Sequence, residues 1–219
     1  LCTAPVRSAE DLPRAAPEAV GLSGPRLGRL TEAMQAYVDD GRLAGAVVLV
    51  ARRGRVAYLR SVGQRDIGSG SPMTDDAIFR IASQTKAIIS TGVMVLQEEG
   101  RLLISDPVGR YLPEFARTQV AVARDGGGYE VVDARGRITI RQLLTHTSGL
   151  RPGLSAKPAW SGVPKAIDLA KAERLTTQPD TQFRYSDINF ILLGEIVRLA
   201  SGQRLDEFAA AEIYRPLGM

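Results

Sequence analysis

Hydrophobic positions recur with two different periods, which divide the chain into a short β region and a longer helical one. Apolar residues at 27–38 keep helical spacing after Ser23, a typical helix start. Residues 45–63 are instead rich in β-branched side chains on both sides of Arg53-Gly54, which predicts a β-hairpin. Helical spacing returns over residues 81–99. The pattern therefore predicts a helix, a hairpin and then mainly helices.

Shorter elements are predicted in the second half of the chain. A small hairpin is expected between residues 130–133 and 137–140, after the glycine run at 126–128. Thr139 and Gln142 have the spacing of a capping box, which indicates a short helix ending near Leu144. Further helices are predicted over residues 164–174, 187–201 and 205–214.

These elements predict an α/β fold of the α+β type, an antiparallel sheet flanked by helices plus a helical subdomain. We expect a flexible leader over residues 1–20, the helix and hairpin over 21–70, and a mainly helical part over 71–219. Two strands do not make an independently stable sheet. We therefore expect the chain to be the N-terminal part of a larger protein, with the C-terminal remainder of its polypeptide as a partner.

Composition removes several classes of function. The net charge of +4 comes from 24 Arg and 4 Lys spread among 24 acids, which is typical of a solvated surface and not of a nucleic-acid-binding patch. One cysteine, Cys2, and one histidine, His146, exclude an internal disulfide and a histidine-rich zinc site. No apolar stretch is long enough to predict a membrane span.

Ser83 and Lys86 are the first candidates for chemistry. At this spacing, near a helix start, both side chains lie on one face of the helix. A serine needs a base before it can act as a nucleophile, and a lysine can serve if its pKa is lowered. The N-terminus of the helix would offer the Ser83 N–H as an oxyanion donor. The alternative is a surface lysine near a helix cap, since a Ser-x-x-Lys pattern alone is weakly specific.

Tyr185, Ser186 and Asp187 form the second candidate group, directly before a predicted helix. A tyrosine beside a cationic lysine can titrate low enough to move a proton. Ser186 or Asp187 can also simply cap the helix. His146 follows the short capped helix, and no Gly-x-Ser-x-Gly elbow supplies a nucleophile for it. We therefore interpret His146 as structural.

Four segments in order resemble the serine β-lactamase and penicillin-binding-protein superfamily. Within it they are most similar to the class C β-lactamase branch, with its family VIII carboxylesterases and D-alanyl-D-alanine peptidases. The segments are FRIASQTK at 79–86, ITIRQLLTHTSGL at 138–150, FRYSDINFILLGEIVRLASG at 183–202 and PLGM at 216–219. Their order and spacing cover nearly the whole chain from about residue 20 onward.

The resemblance implies roles for these residues. Ser83 would be the acylated nucleophile, Lys86 its base partner and Tyr185 the proton shuttle, while Asp187 and Gln84 are candidates for binding substrate or orienting the lysine. The family's second motif often reads Tyr-x-Asn, and Asp187 holds the Asn place here. An anion there would favour the charged, inactive amine, which fits esterase-like members better than β-lactamases. The family's Lys-Thr-Gly-like third motif is not in this sequence.

We therefore expect a bacterial serine hydrolase that acts on small acyl esters through an acyl-enzyme, with no metal or organic cofactor. β-Lactam hydrolysis and D-alanyl-peptide cleavage are the alternatives, and a non-catalytic penicillin-binding-like fragment is the rival of another class. The expected partner is a small-molecule ester or lactam, with no nucleic acid and no membrane span. The Ala- and Pro-rich N-terminal region favours a periplasmic or secreted location over a cytoplasmic one.

Overall fold

Residues 12–219 are described by the structure, a computed structural model. They form two units, the first ending at Ile81 and the second running from Ala82 to Leu217. The fold is mixed α/β, with small antiparallel sheets and helices, as predicted. Ser71–Pro72 pair with the hairpin and belong to the first unit, so the strands of that unit continue past residue 70.

The predicted hairpin forms the sheet of the first unit. Strands β1 (Gly45–Arg52) and β2 (Arg55–Asp66) are antiparallel, and β3 (Ser71–Pro72) adds a short third strand that the sequence pattern did not predict. Arg53 and Gly54 both have left-handed φ, which is the geometry of a tight two-residue hairpin turn. Helix α1 (Gly24–Asp39) packs on β2 and begins where predicted, because the Ser23 hydroxyl accepts the Arg26 N–H.

The described part of the predicted leader, residues 12–20, makes backbone hydrogen bonds to β2. The Ala15 N–H donates to the Val56 carbonyl at 3.0 Å, and the Val56 N–H donates to the Pro13 carbonyl at 2.9 Å. A 3-10 turn then follows at Pro17–Val20, and Val20 is buried. These backbone bonds attach the segment to β2 despite its alanine and proline content. Residues 1–11, with Cys2, lie outside the described residues.

The second unit is built around one long buried helix, α5 (Asp187–Ser201). Its sequence is apolar on nearly every side, so other elements cover it almost completely. Its neighbours include α2, α3, α4 and α6. The other helices and strands of the unit are α2 (Thr85–Glu98), β4 (Gln119–Ala123), β5 (Tyr129–Asp133), α3 (Ile140–Leu144), α4 (Val163–Lys171), α6 (Leu205–Ala209), a π-helical turn (Ala210–Tyr214) and α7 (Arg215–Leu217), with 3-10 turns at Ala82–Gln84, Val108–Arg110 and Pro113–Phe115.

The predicted strand at residues 130–133 forms, but it pairs with an earlier segment and not with residues 137–140. β5 pairs with β4, and the glycine run at 126–128 forms the connection between them. The predicted partner, residues 137–140, is used elsewhere, since the Ile138 carbonyl accepts the Val108 N–H and both Ile138 and Ile140 are buried in the core. The sequence pattern did not predict β4, because its alanines have low β propensity.

The segment after α3 folds back tightly, and this places His146. The predicted capping box is present, with Gln142 N–H donating to the Thr139 hydroxyl and the Gln142 side chain accepting the Thr139 N–H. His146 has φ of 58° and Gly149 has φ of 88°. The Gly149 carbonyl then accepts the Thr176 N–H at 2.8 Å, so a second segment is held against this turn.

Gly149→Ala should lower the free energy of unfolding by about 2 kcal/mol or more. A Cβ at this position would be strained by the positive φ and would overlap the Thr177 carbonyl oxygen. Urea denaturation measures the change. Gly136→Ala is the matched control, because a Cβ there meets open space. Equal stability of the two variants would contradict this assignment of the turn.

Candidate active site

Ser83 and Lys86 are brought together at the start of α2. Ser83 lies in a 3-10 turn at Ala82–Gln84, and Lys86 lies in the first turn of the helix that follows. The Lys86 ammonium donates to the Ser83 hydroxyl oxygen at 3.3 Å. Ser83 is exposed, whereas the Lys86 side chain is only 16% exposed. The pair therefore presents the hydroxyl to solvent and keeps the amine partly covered.

Asp187 comes to the same amine from the start of α5. Its Oδ1 accepts from the Lys86 Nζ at 2.6 Å, and the Asp187 side chain is 61% exposed. The alternative interpretation, that Ser186 or Asp187 mainly caps α5, is not supported. Among the described residues the Ser186 hydroxyl makes no capping bond to α5 and donates instead to the Arg151 carbonyl at 2.6 Å.

This environment keeps Lys86 charged. Burial acts to lower the pKa of Lys86, but the interactions with Asp187 and with Tyr185 raise it by more. The net result is a pKa above the usual lysine value. Lys86 is therefore a hydrogen-bond donor in this site, to both Ser83 and Asp187.

Tyr185 covers the amine from the other side. The Lys86 Nζ lies 4.8 Å from the centroid of the Tyr185 ring, and Tyr185 is 44% exposed. Its interactions with Lys86 and then with Ser83 lower the pKa of the Tyr185 hydroxyl. Within the described part of the chain the Tyr185 hydroxyl makes no hydrogen bond of regular geometry with Lys86 or Ser83. The nearness of these two polar groups is therefore what lowers its pKa. Tyr185 is thus a phenol of lowered pKa beside Ser83 and Lys86.

His146 lies behind Tyr185 and has no contact with Ser83 among the hydrogen bonds of the described residues. Its ring centroid is 4.5 Å from that of Tyr185, and its Nδ1 accepts the Ser186 N–H at 3.1 Å. Burial and then the Lys86 charge lower the pKa of His146, and together they outweigh the opposing Asp187 charge. His146 is therefore a neutral, mostly buried histidine.

A buried polar group beside His146 escaped the sequence analysis. Asn189 is fully buried in α5, and its Nδ2 lies 3.3 Å from the His146 Nδ1. Its Oδ1 accepts from the Ser148 hydroxyl at 2.7 Å, which is also buried. The only sequence signal was one amide inside an otherwise apolar helical run.

Gln84, the remaining candidate, is exposed at the junction of the 3-10 turn and α2. Its side chain forms no hydrogen bond within residues 12–219. In the same range no cluster of three or more His, Cys, Asp or Glu side chains is arranged to hold a metal ion. No helix of these residues has the length and apolar character that a membrane crossing requires.

Comparison with known proteins assigns the chain to a family. The sequence model of the family described as Beta-lactamase matches residues 30–219. The chain belongs to the beta-lactamase family. The resemblance seen in the sequence is thus confirmed for the family, and the matched range of this beta-lactamase-family chain includes both α2 and α5.

Individual relatives agree with this assignment. Esterase EstB of Burkholderia gladioli is 35% identical over 206 residues, which cover 87% of this chain and 50% of EstB. The structure of EstCE1, a hydrolase with promiscuous acyltransferase activity, superposes with a TM-score of 0.73 at 28% identity and covers 88% of this chain and 51% of EstCE1. Simvastatin synthase (LovD) of Aspergillus terreus gives a TM-score of 0.74 at 26% identity, with 90% and 52% covered. The chain spans about half the length of each.

Asp187→Asn should lower the pKa of Lys86, because the variant removes the negative charge that accepts from its ammonium. With only four lysines in the chain, NMR of protein labelled with ¹³C at lysine Cε can follow this titration, and Lys86→Ala assigns the signal.

Asp206→Asn is the matched control for Asp187→Asn. Asp206 is an exposed acid paired with Arg204, and it is not among the groups that shift the pKa of Lys86. The Lys86 titration should be unchanged in this variant. A Lys86 pKa that stays the same in both variants would show that Asp187 does not set it.

Proposed function

We propose that this chain carries the nucleophile of a serine hydrolase that cleaves small acyl esters through an acyl-enzyme. The arrangement that supports the proposal is one ammonium, Lys86 Nζ, shared between the Ser83 hydroxyl at 3.3 Å and Asp187 at 2.6 Å, with the Tyr185 ring beside it. Such an arrangement activates a serine without a histidine base.

Tyr185 is the base in this proposal, and Lys86 supports it. The raised pKa of Lys86 keeps its amine protonated, so it has no lone pair to accept the Ser83 proton. The lowered pKa of Tyr185 makes its phenolate accessible, and the adjacent ammonium stabilises that anion. This changes the role that the family resemblance gave Lys86, from base partner to electrostatic support.

The reaction then has two balanced steps. The Tyr185 phenolate takes the proton of Ser83, whose oxygen attacks the ester carbonyl, and the departing alkoxide receives that proton from Tyr185. Water then attacks the acyl-Ser83 ester. Tyr185 accepts a proton from the water and returns it to the Ser83 oxygen as the acid leaves. Ser83 and Tyr185 end each cycle as they began.

Asp187 favours an ester over a lactam as the substrate. A carboxylate offers only acceptors, whereas the amide of the Asn usual in the family can also donate to the amide of a lactam substrate. Here the carboxylate is occupied by Lys86. The similarity to EstB and to EstCE1, an esterase and a hydrolase by name, supports the same choice. The periplasmic or secreted location stays a prediction.

Ser83→Ala should abolish both hydrolysis of short-chain p-nitrophenyl esters and covalent labelling by a fluorophosphonate probe, because it removes the attacking oxygen. Intact-mass spectrometry with peptide mapping locates the adduct, in this chain and in any longer protein that contains it. Ser161→Ala, in an exposed loop, should leave both unchanged. Failure of the unaltered protein to label in either form would favour the non-catalytic alternative.

The rate of Ser83 labelling should follow a bell-shaped pH profile. It should rise with pH through the lowered pKa of Tyr185, as the phenolate forms, and fall only above the raised pKa of Lys86, as the ammonium is lost. Tyr185→Phe should reduce kcat/KM for ester hydrolysis by about 100-fold or more and remove the rising limb. A rising limb that persists in Tyr185→Phe would assign the base elsewhere.

A further inference from the structure

His146 contacts the chain on both sides of Tyr185. Its carbonyl oxygen accepts the N–H of Arg184 at 2.8 Å, one residue before the tyrosine. Its Nδ1 accepts the N–H of Ser186 at 3.1 Å, one residue after it. Its ring then lies against the Tyr185 ring, with a centroid distance of 4.5 Å and an interplanar angle of 31°. One residue thus holds the two flanking N–H groups and the side chain between them.

We infer that His146 is the positioning residue for Tyr185, holding the phenol beside Ser83 and Lys86 without exchanging a proton with the substrate. The inference rests on the proposed role of Tyr185. Tyr185 is almost half exposed and needs a rigid support if its hydroxyl is to stay near the nucleophile. Because His146 holds both backbone neighbours, a shift of the Tyr185 main chain would break at least one of its hydrogen bonds.

The tautomer of His146 follows from its partners. Since Nδ1 accepts the Ser186 N–H, the ring proton is on Nε2. The Asn189 Nδ2 approaches the same Nδ1 at 3.3 Å, and its Oδ1 is held by the Ser148 hydroxyl at 2.7 Å. This buried chain of bonds fixes the plane of the imidazole. The orientation of the ring that faces Tyr185 is therefore set by groups that never reach the substrate.

The packing of the ring restricts it further. Phe190 lies 5.3 Å from the His146 ring centroid, and Phe183 lies 5.8 Å away in an edge-on contact. The His146 main chain has φ of 58°, a region in which histidine and asparagine are tolerated better than most residues. The position thus requires an aromatic face, an acceptor at the δ position and a left-handed backbone, and histidine meets all three requirements.

Two substitutions separate these requirements. His146→Asn keeps an acceptor at the δ position and suits the left-handed backbone but lacks the ring. His146→Phe keeps the ring but leaves the Ser186 N–H without its acceptor. We expect His146→Phe to reduce kcat for ester hydrolysis by about 10- to 100-fold with little change in KM, since a misplaced phenol slows chemistry more than binding. His146→Asn should recover most of the lost kcat.

A second readout does not depend on catalysis. Protein labelled with ¹³C at tyrosine Cζ has six such signals, and Tyr185→Phe assigns one of them. His146→Phe should raise the Tyr185 pKa back toward its ordinary value, because the hydroxyl leaves Lys86, and His146→Asn should raise it less. If phenylalanine at a positive φ prevents folding, the His146→Gln variant is used in place of His146→Phe. The glutamine side-chain oxygen lies one bond farther from the backbone than Nδ1, so the Ser186 N–H again lacks its acceptor.

Ile196→Val, a core change on α5, is the control for a simple loss of stability. It should lower the melting temperature without changing kcat or the Tyr185 pKa. A His146→Phe variant that melts lower but keeps both kcat and the Tyr185 pKa would overturn the inference. Equal losses of kcat in both His146 variants with an unchanged Tyr185 titration would also overturn it, by making His146 a reacting group. Absence of Ser83 labelling in the unaltered protein would refute only the proposed function. The NMR titration of Tyr185 would still test whether His146 positions it.

Discussion

The packing of α5 against α2 is the contact on which the candidate site depends. Ser83 and Lys86 lie at the start of α2, and Tyr185 and Asp187 lie at the start of α5, about a hundred residues later in the chain. Only the burial of α5, which is apolar on nearly all sides, brings these two starts together. The hydrophobic effect thus positions polar groups that could not hold one another in water, where an isolated ion pair contributes little.

The contact of Lys86 with Asp187 and Tyr185 also decides the charge state of the site. Lys86 and Ser83 lower the pKa of Tyr185. Burial opposes the charge of Lys86, and Asp187 and Tyr185 keep its ammonium protonated at this mostly covered position. The lowered pKa of Tyr185 and the raised pKa of Lys86 are therefore two consequences of one local arrangement. This coupling is why the proton acceptor is assigned to the tyrosine.

Behind the candidate site, a buried polar network adds rigidity. His146, Asn189 and Ser148 form a chain of hydrogen bonds inside the core, and a network satisfied in this way specifies one arrangement of its members. It joins the turn after α3 to the first turn of α5. The loop that carries Tyr185 is thereby attached to the core through the Ser186 N–H, although Tyr185 itself is partly exposed to solvent.

The sequence by itself determined the local features of this protein. It predicted the capping box at Thr139, the hairpin turn at Arg53-Gly54, the start and end of α5, and the one-turn spacing of Ser83 and Lys86, because each follows from neighbours a few residues apart. Tertiary structure decided what depends on distant partners. These are the pairing of β5 with β4, the backbone bonds of residues 13–15 to β2, the contact of Asp187 with Lys86 and the position of His146 behind Tyr185. Periodicity carries no information about which buried surfaces meet, and the packing of those surfaces set each of these features.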